Sequence, residues 1–464
     1  MDLQFYALTE AAARADGALG RLSPAARDAF AGAAQRQASL RGLRRGPQDI
    51  PLVLSPMSLP REELLRLGRA ARHITSALVK VARDVIERQP EKKALLFAHL
   101  SPLELAALET RYREAEELLI ARVDWFVDHA GAARALEVNA TIPAMPVYSD
   151  AAVQGWLEAA CPDRAAALSA KNPGNARWLV DGLLRAAKAA GRGVPGEAFP
   201  RGLSVQILHR DGDPQLSELE VLAGLLRQRG AHARTVTPAE VALDGDPSRV
   251  LYRHLFARHV EVGSALGEAL LDPARHAIWN RVDGWLETKG LFAELSAHAE
   301  ESGHLLDADE RAAIARHVPF TRVLDDVADA RLGDGDAFVL KRSHDYGGKS
   351  VMIGREKGPA EFRAALAAAR RDPPGTWVVQ ELIDAPPLWR WFCMAGEGGS
   401  ISAQHAGLHL DVSTYASLLP GVPEGGSVCR AAFGRVVNIA GGGGVAPLFA
   451  DDVLSEALDA TRWG

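Results

Sequence analysis

The chain has 464 residues, 47% of them apolar and 24% charged, and a formal net charge of −6 at pH 7. That length exceeds what one hydrophobic core ordinarily serves and predicts several subdomains, while the negative charge speaks against a general nucleic-acid binder. No apolar run approaches the ~20 residues of a membrane helix, no leader pattern follows Met1, and Cys161, Cys393 and Cys429 are too scattered for a disulfide framework, so a cytoplasmic protein without membrane or nucleic-acid partners is expected.

The first part of the chain reads as mostly helical. From Pro60, apolar residues recur at Leu64, Leu67, Ala71, Ile74, Leu78, Val81 and Val85, steps of three and four that mark one helix face. Ser58 and Pro60 supply its start. A second helix is predicted from Ser101 to about Ile120, with its Glu and Arg side chains on a solvated face. At Ala121 the pattern changes: Arg122–Asp128 and Ala135–Asn139 flank Gly131 and predict two strands joined by a turn. Residues two apart on a strand share a face, so Glu137 and Asn139 point the same way and Asp124 on the neighbouring strand can join them.

The segment from Asp163 to Pro200 reads as helix plus connection. A small α/β unit follows, with strand Leu203–Leu208, helix Pro214–Arg229 ended by Gly230, and strands Ala231–Val236 and Val250–Arg253. No Gly-x-Gly-x-x-Gly follows its first strand, so a dinucleotide site is not indicated. The remainder predicts a helix from Lys289, the motif Val318-Pro-Phe-Thr321, strand Phe338–Lys341, and the loop Ser343-His-Asp-Tyr-Gly347-Gly348-Lys349-Ser350. Next come strand Val351–Ile353, a helix from about Pro359 to Arg370, strand Trp377–Gln380, and a glycine-rich tail at 437–444.

A phosphate chain needs nearby cations and backbone N–H groups that can approach it, and glycines permit that approach. Lys341 followed by Gly347-Gly348-Lys349 meets the need. It is not a Walker loop, because Gly348-Lys349-Ser350 leads into a strand rather than a helix. Asp124, Glu137 and Asn139 offer two carboxylates and an amide oxygen, the hard donors that magnesium takes. Each pattern alone has a plain alternative: a solvated hairpin turn for the glycines, an exposed strand edge for Glu137-x-Asn139.

Together and in this order, the motifs resemble the circularly permuted ATP-grasp family, and in particular the synthetase domain of glutathionylspermidine synthetase. Arg122-Val-Asp124 and Glu137-Val-Asn139-Ala140 match that family's two magnesium strands. Trp285-Leu-Glu-Thr-Lys289-Gly, Val318-Pro-Phe-Thr321, Lys341 and Gln380-Glu381-Leu-Ile383 match the nucleotide subdomain that comes later in the chain. The resemblance implies a mixed α/β (α+β) ATP-grasp fold in permuted order: an N-terminal helical region (1–115), the magnesium-binding strands (116–160), a central α/β substrate subdomain (161–275), a nucleotide-binding subdomain (276–385) and the C-terminal part of the core (386–464).

It also implies an ATP- and magnesium-dependent ligase that joins a small-molecule or peptide carboxylate to an amine through an acyl phosphate. By this resemblance Lys289 and Lys341 contact the phosphates, and the loop carrying Ser343, Gly347, Gly348 and Lys349 closes over them. Gln380, Glu381 and Ile383 meet adenine, and Asp124, Glu137 and Asn139 hold magnesium. Arg122 stabilises the transferring phosphoryl group or the resulting tetrahedral intermediate, and Arg430 is a second arginine that binds substrate or phosphate. Arg122 has the alternative of a structural ion pair with Asp128 or Glu137, and Arg435 and Arg390 compete with Arg430. Arg253 is a candidate carboxylate anchor. His405, His409 and Asp411 are a candidate metal group, with solvated strand histidines as the alternative. Asn139-Ala-Thr141-Ile-Pro143 lacks the acid of the family's Asn-Ala-Asp-Thr-Pro, which removes support for a polyamine substrate. No cysteine precedes Cys161, so the amidase activity of bifunctional relatives is not expected. A phosphotransferase, or a catalytically inactive nucleotide-binding scaffold, fits the same motifs, and a homodimer is a candidate assembly. The motif order makes one geometric demand: Glu137 and Asn139 face Lys341 and Lys349 across a single pocket.

Overall fold

The computed structural model describes residues 9–192, 202–299, 304–345 and 347–461, so Tyr346 of the glycine loop and the end of the 163–200 connection lie outside the described residues. Helices α1 (Glu10–Arg21) and α2 (Pro24–Leu40) start at Thr9 and Ser23, whose hydroxyls accept from the backbone N–H groups of Ala12 and Ala26. Helix α3 (Arg61–Arg88) buries Leu64, Leu67, Ala71, Ile74, Leu78, Val81 and Val85, the face its periodicity marks. Helix α4 (Pro102–Arg111) opens in a capping box between Ser101 and Glu104. It stops short of the expected Ile120, giving way to a 3-10 turn at Tyr112–Glu117, and Glu104 is buried in its cap rather than solvated.

Strands β1 (Ala121–Val127) and β2 (Ala133–Asn139) form the expected antiparallel hairpin, with Gly131 at φ +80° in its turn. After helices α5 (Pro146–Ala160) and α6 (Asn175–Ala189) comes the α/β unit. It consists of β3 (Ser204–His209), α7 (Leu216–Gln228), β4 (His232–Val236), β5 (Arg249–His254) and β6 (Ile278–Trp279), in a parallel sheet of order β4-β3-β5-β6. Strand β6 is too short to show a sequence period.

Helix α8 (Lys289–His298) leads to a second sheet, β7 (Thr321–Val323), β8 (Phe338–Arg342), β9 (Met352–Ile353) and β10 (Trp377–Glu381), antiparallel in the order β7-β10-β8-β9. Helix α9 (Gly354–Ala369) covers it, packing Phe362 and Leu366 into a small core with Leu340 and Val379. Its helical geometry breaks at Gly358, φ +74°, just before Pro359, the residue where the sequence pattern places its start.

The last sheet joins the two ends of the chain. Strands β11 (Leu388–Ala395), β12 (Ile401–Ala416), β13 (Ser427–Ala432) and β14 (Gly444–Ala446) combine with the early hairpin in the order β14-β13-β12-β1-β2, and β11 pairs with the first half of β12. The register sets Asp124 opposite Ser413 and Asp411 opposite Arg430. A continuous apolar core runs from α1 and α3 through β1, β2 and β12 to helix α10 (Asp451–Ala460). The three cysteines are buried and unpaired. Among the described residues, no helix is long and apolar enough to cross a membrane.

Candidate active site

One cavity of about 270 Å³ lies between the β7–β10 sheet and the sheet that holds β1 and β2. Arg122, Asp124, Glu137, Asn139, Lys289, Lys341, Gly347, Gly348, Lys349, Gln380, Glu381, Ile383 and Arg430 all line it. The residues expected to face one another therefore do so, although hairpin and lysines are far apart in sequence.

The hairpin register places Arg122 opposite Asn139 and Asp124 opposite Glu137. Arg122 donates through Nε and Nη2 to the two Asp124 oxygens at 2.7 and 2.9 Å, a bidentate pair. Neither Asp128 nor Glu137 is its partner. Arg430 Nη2 donates to Asp124 Oδ2 at 2.9 Å and to Asp411 Oδ2, and its Nε donates to Asp411 Oδ1 at 2.9 Å. The result is a buried chain of two arginines and two carboxylates. Burial opposes ionisation of Asp124, but the flanking guanidiniums outweigh it and hold its pKa well below the usual range.

Asn139 Nδ2 donates to Asp124 Oδ2 at 3.2 Å, which turns its amide oxygen the other way. Glu137 Oε2 sits 3.2 Å from Lys289 Nζ. Burial raises the Glu137 pKa, but Lys289 and Lys341 more than offset it, so the side chain is an anion with its affinity for protons reduced. Magnesium takes one or two carboxylates and completes its shell with phosphate oxygens and water. Glu137 and the Asn139 amide oxygen suit that ion. Asp124 has both oxygens committed to arginines. Among the described residues, no three His, Cys, Asp or Glu side chains converge as a metal cluster.

Two lysines close the opposite side. Lys289, at the first turn of α8, also donates to the Asp345 carbonyl at 2.6 Å. Lys341 donates to Gln380 Oε1 at 2.6 Å, and Gln380 Nε2 donates to Thr321 Oγ1 at 3.0 Å and the Leu136 carbonyl at 3.2 Å. Gln380 thus ties the two sheets together with its side chain. Burial pushes Lys341 down to about 8, with Glu137 resisting and Lys289 adding to the fall.

Gly347 and Gly348 adopt φ of +69° and +73°. A Cβ on Gly348 would lie 2.4 Å from Val436 Cγ1, and Asn438 Nδ2 donates to the Gly347 carbonyl at 2.6 Å. The C-terminal tail therefore holds the loop. Its own glycines serve packing: a Cβ on Gly443 would meet the Ala431 carbonyl at 2.7 Å, and one on Gly444 the Pro51 carbonyl at 2.5 Å.

Among the residues expected to bind ATP, Ser343 alone is not in the cavity wall. It is fully buried, its hydroxyl accepts from Gly290 N–H at 2.9 Å, and its carbonyl accepts from Lys289 N–H at 2.8 Å. It fixes the start of α8, and hence Lys289, against the end of β8. Ser343→Ala is expected to cost about 1–2 kcal/mol of stability in a denaturant titration, because the Gly290 donor stays buried without its acceptor.

The remaining candidates hold other places in the structure. Arg253 is fully buried and spends its guanidinium on the carbonyls of Asn280 at 2.9 Å, Arg281 at 2.5 Å and Leu255, so it anchors a loop and not a carboxylate. His405 packs its ring on Trp391 at 4.8 Å between centroids, His409 Nδ1 meets the Ala385 carbonyl at 3.1 Å, and Asp411 belongs to Arg430, so the three form no metal group. Arg435 lines the cavity but pairs with Asp384 at 3.3 Å and Glu356 at 3.5 Å. Arg390 is buried away from it. Asn438 as the clasp of the loop and Asp411 as counter-ion of Arg430 are the roles that sequence reasoning missed; only the place of Asn438 in the glycine-rich tail hinted at the first.

No protein-family model matches the chain, and no curated protein sequence matches it. Among solved structures, it is similar to the apo form of a glutathione synthetase-like effector from Globodera pallida, with a TM-score of 0.58 and 13% identity over 92% of this chain and 98% of that one. A candidate gamma-glutamylcysteine synthetase from Methylobacillus flagellatus aligns over 84% of this chain and 95% of its own, with a TM-score of 0.38 and 10% identity, too low to carry an argument. The first likeness extends over nearly the whole of both chains, and it establishes a glutathione synthetase-like mixed α/β fold.

Proposed function

We propose that the protein is an ATP- and magnesium-dependent carboxylate–amine ligase with an ATP-grasp core in permuted order. The observation that carries this reading is the single cavity in which Glu137 and Asn139 from the early hairpin meet Lys289, Lys341 and the 347–349 loop from the later sheet, with Arg122 and Arg430 beside them. The glutathione synthetase-like fold supports the ligase class. The hairpin that precedes the lysines in sequence yet shares a sheet with strands that follow them supports the permuted order.

Lys289, Lys341 and Lys349 neutralise the phosphates of ATP, and the N–H groups of Gly347 and Gly348 approach them closely. Glu137 and Asn139 hold magnesium, which when bound screens the charge of the transferring phosphoryl group. A carboxylate oxygen of the acid attacks the γ-phosphorus and the bond to ADP breaks. The amine then attacks the acyl carbon, and phosphate leaves as the amide forms. Arg122 and Arg430, fixed by Asp124 and Asp411, present positive charge without reorganising as the carbonyl oxygen becomes negative. The loop held by Asn438 keeps water from the acyl phosphate.

Incubation with pooled acids and amines is expected to give amine-dependent ADP release and an amide product by mass spectrometry. Glu137→Gln is expected to lower that release about 100-fold, since it removes the carboxylate assigned to the cation. A stable phosphorylated acid without amide would identify a phosphotransferase, and bound nucleotide that never turns over would identify a scaffold.

A further inference from the structure

A second cavity, also of about 270 Å³, lies against the first. Arg122, Ile142, Phe256, Arg430 and Asn438 line both, so the two arginines form part of a shared wall. The far end of this chamber is built differently. It carries Arg45, from the short N-terminal hairpin formed by Arg44–Arg45 and Gln48–Asp49, and Arg210, from the loop after β3.

The charge balance of the two ends differs. At the shared wall, two arginines are matched by two carboxylates, Asp124 and Asp411. At the far end two arginines face one acid. Asp213 sits 3.9 Å from Arg210, the outer limit of an ion pair, and already accepts from Gln215 N–H at 2.9 Å. Arg45 has no ion-pair partner among the described residues, whereas its neighbour Arg44 pairs with Asp49 at 3.3 Å. Tyr148, Gln215, His254 and His259 supply the remaining polar side chains of the lining; His254 is hydrogen-bonded to Gln215 at 3.1 Å, and burial keeps it neutral at physiological pH.

The hairpin is not loosely attached. Gly46 N–H donates to the Pro214 carbonyl at 2.7 Å, and Tyr148 and Ser217 hydroxyls donate to the Arg44 carbonyl, each at 2.9 Å. Arg45 is therefore held over the chamber mouth by its backbone, and its charge is left for a ligand. Between the two ends the lining is largely apolar, with Ile142, Met145, Leu255 and Phe256.

We propose that this chamber holds the acid substrate of the ligase and that Arg45 and Arg210 are specificity-determining residues that select an acid bearing a second negative group, remote from the carboxylate presented to Arg122 and Arg430. The inference rests on the ligase reading above and deepens it. A polyamine or other cationic acceptor is excluded from the chamber by the same charges.

Three dipeptides of matched size separate the possibilities: Glu-Gly, Gln-Gly and Lys-Gly, titrated calorimetrically into the full chain in the presence of Mg-ADP. Glu-Gly is expected to bind about tenfold or more tighter than Gln-Gly, with Lys-Gly weakest. In Arg45→Ala/Arg210→Ala the preference for Glu-Gly is expected to vanish, while Arg45→Lys/Arg210→Lys retains most of it. Both side chains lie at the surface, so the unliganded melting temperature of either variant should match the wild type. Equal binding of the three peptides, binding of none, or a preference that survives the alanine pair would overturn the proposal. Wild-type binding of Mg-ATP without peptide separates the failures. If Mg-ATP binds and no acidic preference exists, only this inference falls; if Mg-ATP does not bind, the ligase reading falls first.

Discussion

Arg430→Ala is expected to lower the unfolding free energy by about 3–5 kcal/mol, the usual cost of removing one partner from a buried ionic network. Arg430 reaches from β13 to Asp411 on β12 and to Asp124 on β1, so it neutralises carboxylates on two neighbouring strands. Without it Asp411 loses its hydrogen-bonded counter-ion and must either bury its charge or take up a proton, and Asp124 depends on Arg122 alone. Lysine at 430 should recover only part of the loss, because a point charge cannot fork to both acids. Replacing Arg430 and Asp411 together by Met and Leu should restore much of the stability and none of the activity, which separates the structural from the chemical role. The pH dependence has a definite sign. Burial already pushes Asp411 up to about 6 against the pull of Arg430, and losing the arginine raises it further. The unfolded carboxyl titrates near its ordinary value of about 3.9. The variant therefore takes up a proton on folding at a higher pH than the wild type does, and its deficit should widen as pH rises above about 6 and stay level below it, where both proteins take up that proton.

Lys341→Ala is expected to weaken Mg-ATP binding about 100-fold, the worth of a charge-assisted contact to phosphate in a buried site. ADP release should fall about 1000-fold, because the same charge is needed most as phosphoryl transfer proceeds. The effect on stability should be smaller than for Arg430, since burial already disfavours the Lys341 cation and Glu137 keeps Lys289 as its partner. In the free protein Lys341 loses its proton above about pH 8. Mg-ATP affinity of the wild type is therefore expected to decline by up to about tenfold per pH unit above that value, a decline absent from Lys341→Ala.

The elements that could be read from the sequence are those whose evidence is local. The face of α3, the β1–β2 hairpin around Gly131 and the strands β8 and β10 each carry their own period or turn signal, and each occurs where the pattern places it within a few residues. The meeting of Glu137 with Lys341 was readable for another reason: several motifs in one order resemble a known arrangement. Contacts made only by tertiary pairing left no such trace. Asp411 lies within a sixteen-residue strand, and nothing beside it in sequence reveals that Arg430 is its register partner. Ser343 belongs to the phosphate-loop motif by position, yet the end of β8 turns it inward to cap α8. Arg253 ends a strand as an anchor would, but the loop at Asn280 and Arg281 folds over it. Arg45 sits in a hairpin of two-residue strands, below the length at which alternation can be seen.

Isothermal calorimetry of Mg-ATP with the wild type, Glu137→Gln and Lys341→Ala tests the convergence of the two sheets on one nucleotide most directly. One site per chain is predicted for the wild type, weakened by the substitution on β2 and by the substitution on β8. Absence of Mg-ATP binding to the wild type, or binding that both variants leave unchanged, would contradict the account.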